Sequence, residues 1–138
     1  MTDYPPAPDG TAAAKYVRLL VELALAYPDS VEEHPWGHYA IKVRGKSFVF
    51  LATSPDGLKM SAKLPDSHLE AKLLPFAEAT GYGLGKSGWV TASFAVDEVP
   101  PVALLESWLE ESYRAIAPKK LVAVLDGEAP AGTRRKKA

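Results

Sequence analysis

Between residues 39 and 63 the chain changes period, and that change restricts the fold more than any other feature. Tyr39, Ile41 and Val43 alternate with Ala40, Lys42 and Arg44, the two-residue repeat of a strand with one apolar face. Gly45-Lys46 then offers glycine at the first position of a tight type II′ turn, and Ser47 to Thr53 returns as a second strand. Pairing across that turn sets Val43 opposite Phe48, Ile41 opposite Phe50 and Tyr39 opposite Ala52. Ser54-Pro55-Asp56-Gly57 is a second turn signal, and LKMSAK follows as a third strand. A loop over 54–58 sets Ala52 against Met60 and Phe50 against Ala62, which keeps the apolar side continuous. The other side carries Lys42, Arg44, Lys59, Ser61 and Lys63 around Val49 and Leu51.

Helical spacing flanks this meander. Thr11 can cap a helix in which Val17, Leu20, Val21, Ala24 and Leu25 recur on one side until Pro28. Pro65, Asp66 and Glu70 open a second helical stretch through Leu69, Leu73 and Leu74 toward Phe76, with Pro75 as its end or bend. GYGLGKSG is a glycine-rich loop, WVTASFAV a fourth strand, and after Val99-Pro100-Pro101 a third helix buries Leu104, Leu105, Trp108, Leu109 and Tyr113. A short apolar piece at 121–125 follows Pro118. Three strands in sequence, then helix, strand and helix, lack the βαβ rhythm of parallel sheets. The expected class is α+β: one domain with an antiparallel sheet, a three-strand meander plus a fourth strand, packed by three helices. Residues 12–126 form the domain, between a flexible leader over 1–11 and a basic tail over 127–138.

A chain of 138 residues with 47% hydrophobic content can bury one real core. There is no cysteine, so disulfides, thiolate ligands, iron-sulfur clusters and a cysteine nucleophile are excluded. No apolar run approaches the ~20 residues needed to cross a bilayer, and MTDYPPAPDG has neither the basic start nor the apolar core of a signal peptide. A cytoplasmic protein without membrane contact is expected, taken as a monomer.

Motifs that suggest chemistry fail on context. In HPWGH the two histidines are four apart, a spacing that shares a metal only on a helix; proline and glycine lie between them and the one other histidine is His68. Trp36 reads as a core plug between the first helix and first strand. GYGLGKSG resembles a phosphate loop, but the first glycine of that pattern should stand where Thr80 is, and the loop leads into a strand rather than a helix. Ser61, Ser87 and Ser93 lack the nucleophile elbow. No catalytic residue, metal site or cofactor is expected.

Charge is more informative. The net charge is only -1, yet five bases and one acid fall between His38 and Lys63, and five acids with no base between Asp97 and Glu111. The tail TRRKKA is basic as well. A basic face on a meander suits phosphates, although such residues also discourage strand aggregation.

Taken together, the segments PDSVEEHPWGHYAIKVRGKSFVFLA, GLKMSAKLP, GKSGWVTASF and ESWLEESYRAIAPKKL resemble the MmcQ/YjbR family over residues 12–126. The resemblance rests on Trp36 and Gly37 before the first strand, Gly45-Lys46 with Phe48, Lys63 ending the third strand, Gly88-Trp89-Val90 opening the fourth, and Ser112-Tyr113 late in the last long helix. It implies an α+β domain shaped like the double-wing DNA-binding domain of a phage transcription factor. It implies no catalytic residues.

The expectation is therefore weak binding of DNA, with little sequence preference, through Lys42, Arg44, Lys46, Lys59, Lys63 and Lys86, the tail assisting. Trp36 and Trp89 are assigned to structure, an exposed Trp89 being able to stack on a base. Neutralising about four phosphates gives a slope of log K against log salt of about -3.6. The alternative is an adaptor module that docks a partner protein on the acidic last helix, through Glu106 and Glu110, or on the sheet face.

Overall fold

The computed structural model describes residues 6–33, 38–81 and 84–127. Among them, six strands form one antiparallel sheet: β1 (Ser30–Glu33), β2 (Tyr39–Val43), β3 (Lys46–Ser54), β4 (Gly57–Lys63), β5 (Ala77–Ala79) and β6 (Trp89–Ala95). Their spatial order is β1-β2-β3-β4-β6-β5. Four helices accompany them: α1 (Ala12–Leu25), α2 (His68–Ala71), α3 (Val102–Ile116) and α4 (Lys119–Leu125), with a 3-10 turn at Leu84–Ser87. The α+β class is the one expected; β1 and β5 are additional edge strands, and the apolar piece at 121–125 is a helix.

α1 begins where its cap requires. Thr11 Oγ1 accepts from Ala14 N at 3.2 Å, and Ala13, Val17, Leu20, Val21 and Ala24 turn inward. α3 buries Leu105, Trp108, Leu109, Ser112 and Tyr113. These two helices share a core with Ile41, Val43, Phe48, Val49, Leu51, Leu58, Met60, Ala62, Val90 and Ala92. Burying each large apolar side chain contributes about 1.5–3 kcal/mol. Ala7, assigned by the sequence to a flexible leader, is buried, with its N–H donating to Thr53 Oγ1 at 3.3 Å. The expected helix after Pro65 is one turn long, His68–Ala71. Leu69 and Leu73, expected within that helical stretch, are exposed, and Pro75 ends any extension.

The first hairpin departs from the expected register at two points. Val43 pairs with Lys46, so the turn residues are Arg44 and Gly45, with φ of 51° and 84°. Two successive positive φ values define the type I′ turn, whose twist suits a tight hairpin. Further along, Lys42 pairs with Ser47 but Ile41 with Val49, leaving Phe48 as an extra residue in a bulge. The bulge resets the alternation of β3. Phe48 and Val49 both enter the core, followed by Leu51 and Thr53, while Phe50 and Ala52 are half-buried on the other side. β4 follows suit, with Leu51 against Met60 and Val49 against Ala62, one residue displaced from the expected pairing. Its loop is the two-residue turn Pro55-Asp56, closed by the Ser54–Gly57 pair.

Trp36 and the first histidine of HPWGH lie outside the described residues, as does the basic tail. Among the described residues, no helix is long and apolar enough to cross a membrane.

Candidate nucleic-acid interface

Alternation along the strands assigns a second, outer face to the sheet. β4 contributes Lys59, Ser61 and Lys63; β3 contributes Phe50 and Ala52; β2 contributes Ala40 and Lys42; β6 contributes Trp89, Thr91 and Ser93. Lys59 is exposed, and Lys42, Phe50, Ala52, Ser61, Lys63, Thr91 and Ser93 are half-buried, whereas Ala40 and Trp89 are buried. Of the five residues expected on one side, Lys42, Lys59, Ser61 and Lys63 share it, while Arg44 lies in the hairpin turn. The apolar residues among them are not Val49 and Leu51, which the bulge directs inward, but Phe50 and Ala52.

Phe50 stands opposite Ser61 on β4 and Ala40 on β2. Its ring lies 5.5 Å from that of Trp89, centroid to centroid, tilted by 42°. Beside it runs a chain of hydroxyls: Ser61 Oγ to Thr91 Oγ1 at 2.7 Å, and Thr91 Oγ1 to Thr80 Oγ1 at 2.9 Å. Neither the bulge nor this hydroxyl chain was foreseen. The alternation of Ser61 and Thr91 was the available signal for the latter, but it became readable only with the β4–β6 register.

The expected cations do not all remain free. Lys42 Nζ lies 3.0 Å from Glu33 Oε1, and Arg44 binds Asp29, its Nε donating to Oδ2 at 2.9 Å and its Nη2 lying 2.8 Å from the same oxygen. Surface pairs of this kind are worth ~0–1 kcal/mol, but they occupy both cations. Glu33 arrives at the end of β1, the strand the sequence did not announce, and Asp29 immediately precedes that strand. Lys46 sits beside the hairpin turn, paired with Val43 and so on the core side of the sheet, and Lys86 lies in the 3-10 turn; both are exposed. Among the described residues, Lys46, Lys59, Lys63 and Lys86 have no carboxylate within ion-pair distance. Glu78 is also on this side, paired with Thr91 at the far edge.

The backbone of Lys63 is held from within. Ser112, buried on α3, accepts from Lys63 N at 2.9 Å and donates to Phe48 O at 2.5 Å. Extending the β3–β4 register by one pair would place Phe48 opposite Lys63. The hydroxyl thus stands where a direct ladder bond would otherwise form. Next to it, Tyr113 donates to Pro28 O at 2.7 Å and stacks on Tyr27 at 4.9 Å, with Phe48 edge-on at 5.2 Å. Burial pushes both tyrosine pKa values up to about 12; Glu110 and Glu106 add to this at Tyr27, and Asp29 at Tyr113.

The acids of α3 are largely engaged. Glu110 binds Arg114 at 2.9 Å, and the Glu111 carboxylate accepts from Asp66 N, Ser67 N and Ser67 Oγ at 2.7–3.0 Å. Arg114 also reaches Asp126, joining α3 to the end of α4, and these carboxylates raise its already high pKa. Glu106 is exposed. Among the serines considered as nucleophiles, Ser61 bonds Thr91 rather than a base. Among the described residues, no three metal-ligating side chains converge.

The family model described as YjbR matches residues 25–115. Two solved structures share the fold. One, of a Deinococcus radiodurans protein with a DUF419 domain, has 23% identity and a TM-score of 0.61, covering 87% of this chain and 95% of that one. The other, of a protein from Pseudomonas syringae, has 16% identity and a TM-score of 0.56, covering 71% of this chain and 96% of that one. No curated protein matches.

Proposed function

The chain belongs to the YjbR family, and from that premise we propose that its outer sheet face binds nucleic acid weakly and with little sequence preference. The observation that supports this most is the row Lys59, Ser61, Lys63 on β4, whose two ammonium groups have no carboxylate partner among the described residues. Lys86 assists from the margin, whereas Lys46, paired with core-facing Val43, adds little on this face. Lys42 and Arg44 must first exchange Glu33 and Asp29 for phosphate, so they add less than the sequence suggested. Phosphate contacts position a ligand without reading its sequence, and no set of base-reading side chains is assembled here. Such a role fits the cytoplasmic location expected from the sequence.

With Lys59 and Lys63 as the principal contacts, log K against log salt should have a slope of about -1.8 on duplex DNA. The test is fluorescence anisotropy of a labelled oligonucleotide across a salt series, for the wild type and a Lys59→Glu, Lys63→Glu double variant. Salt-sensitive binding, lost in the variant with its circular dichroism unchanged, is the expected result. Binding indifferent to salt, or retained by the variant, would refute the proposal. Docking of a partner protein on α3 has less support, since Glu110 and Glu111 already serve internal bonds.

A further inference from the structure

Building on that nucleic-acid reading, we infer that the outer face takes a single strand, one base stacking on Phe50 while the phosphates on either side meet Lys59 and Lys63. The register supplies the geometry. Phe50 is paired with Ser61, and Ser61 is midway between Lys59 and Lys63 on the same face of β4. The two lysines are about 13 Å apart along the strand, with the ring abreast of their midpoint. Phosphates that flank one nucleotide are closer together than this, and the two long lysine side chains can lean inward from either side of the ring to meet them.

The surroundings of the ring fit the same ligand. Its cross-strand neighbours are Ala40 and Ser61, whose short side chains leave room beside it. Trp89 backs it at 5.5 Å but is only 7% exposed, so Phe50 is the ring that a base can reach. The hydroxyls of Ser61, Thr91 and Thr80 extend away from it toward β5. Each can donate or accept, so they can meet the edge of any base, in keeping with weak sequence preference. Bases in a duplex are already stacked and paired; a single strand offers them to an aromatic platform.

The experiment compares a labelled oligothymidylate with a duplex of equal length, using the full chain at low salt. The expected result is tighter binding of the single strand, weakened about ten-fold by Phe50→Ala with little change for the duplex. Phe50→Leu keeps an apolar side chain at this half-buried position but removes the π face, and should weaken it similarly; Phe50→Trp should retain it. Circular dichroism verifies that each variant is folded. If both Phe50→Ala and Phe50→Leu bind the single strand like the wild type while the lysine double variant does not, stacking is refuted and the nucleic-acid reading survives. If the wild type binds neither probe, the reading falls and this inference with it.

Discussion

Replacing Ser112 by alanine tests how the sheet is tied to α3. The side chain is fully buried, and its hydroxyl is the partner of two backbone groups, the buried Phe48 C=O and the part-buried Lys63 N–H. Removing it leaves both unpaired, at ~1–3 kcal/mol for each group. Partial closure of β3 onto β4 can recover some of this, because the two groups face each other across the register. The net destabilisation should therefore be about 2–4 kcal/mol. At a few degrees per kcal/mol for a chain of this size, the melting temperature should fall by about 6–14 °C. Urea unfolding followed by circular dichroism measures the loss, with Ser107→Ala as the control. Ser107 is exposed and bonds only Leu104 O within its own helix, so that change should stay within about 0.5 kcal/mol. A Ser112→Ala loss equally small would refute the clamp.

Other outcomes follow from the same contacts. Asp29→Asn with Glu33→Gln should free Arg44 and Lys42, tightening oligonucleotide binding and steepening the salt slope by about 0.9 per cation; asparagine tolerates the φ of 58° at position 29. Gly57→Ala should be among the most damaging single changes, because its Cβ would lie 1.9 Å from Phe94 O. Gly45→Ala meets nothing within 4 Å and should lose only the ~1–3 kcal/mol of left-handed strain, both changes being read by urea midpoint. Tyr27 and Tyr113 hold their protons up to about pH 12, whereas an unfolded tyrosine releases its proton near 10. Their contribution is therefore complete below about pH 10 and is lost as pH rises from 10 through 12. Tyr113→Phe should flatten that decline in urea midpoints measured across the interval.

The helices and the core were legible where periodicity is long. Fourteen residues of α1 and fifteen of α3 carry enough repeats to set their faces, and Thr11 and the Pro100-Pro101 pair mark their starts. The strands were legible as strands, but not in phase. One bulge at Phe48 reverses every later residue of β3, and nothing local distinguishes Phe48-Val49 turning inward from Phe48 and Phe50 doing so. The bulged residue's carbonyl accepts from the Ser112 hydroxyl on α3, 64 residues away, a contact that no local pattern announces. β1, SVEE, is too short and too polar to announce itself, yet it brings Glu33 to Lys42. Hence the shared face of the β4 cations was readable, whereas the neutralisation of Lys42 and the presence of Phe50 beside them were not.

The claim on which the functional account rests is that ligand contact is centred on the outer face of β3, β4 and β6. Amide chemical-shift mapping during titration with an oligothymidylate tests this directly. The account predicts shifts at Phe50, Lys59, Ser61, Lys63, Thr91 and Ser93 that disappear at high salt, with the outer side of α3 unmoved. Shifts centred on Glu106 and Glu110, or none at all at saturating oligonucleotide, would contradict it.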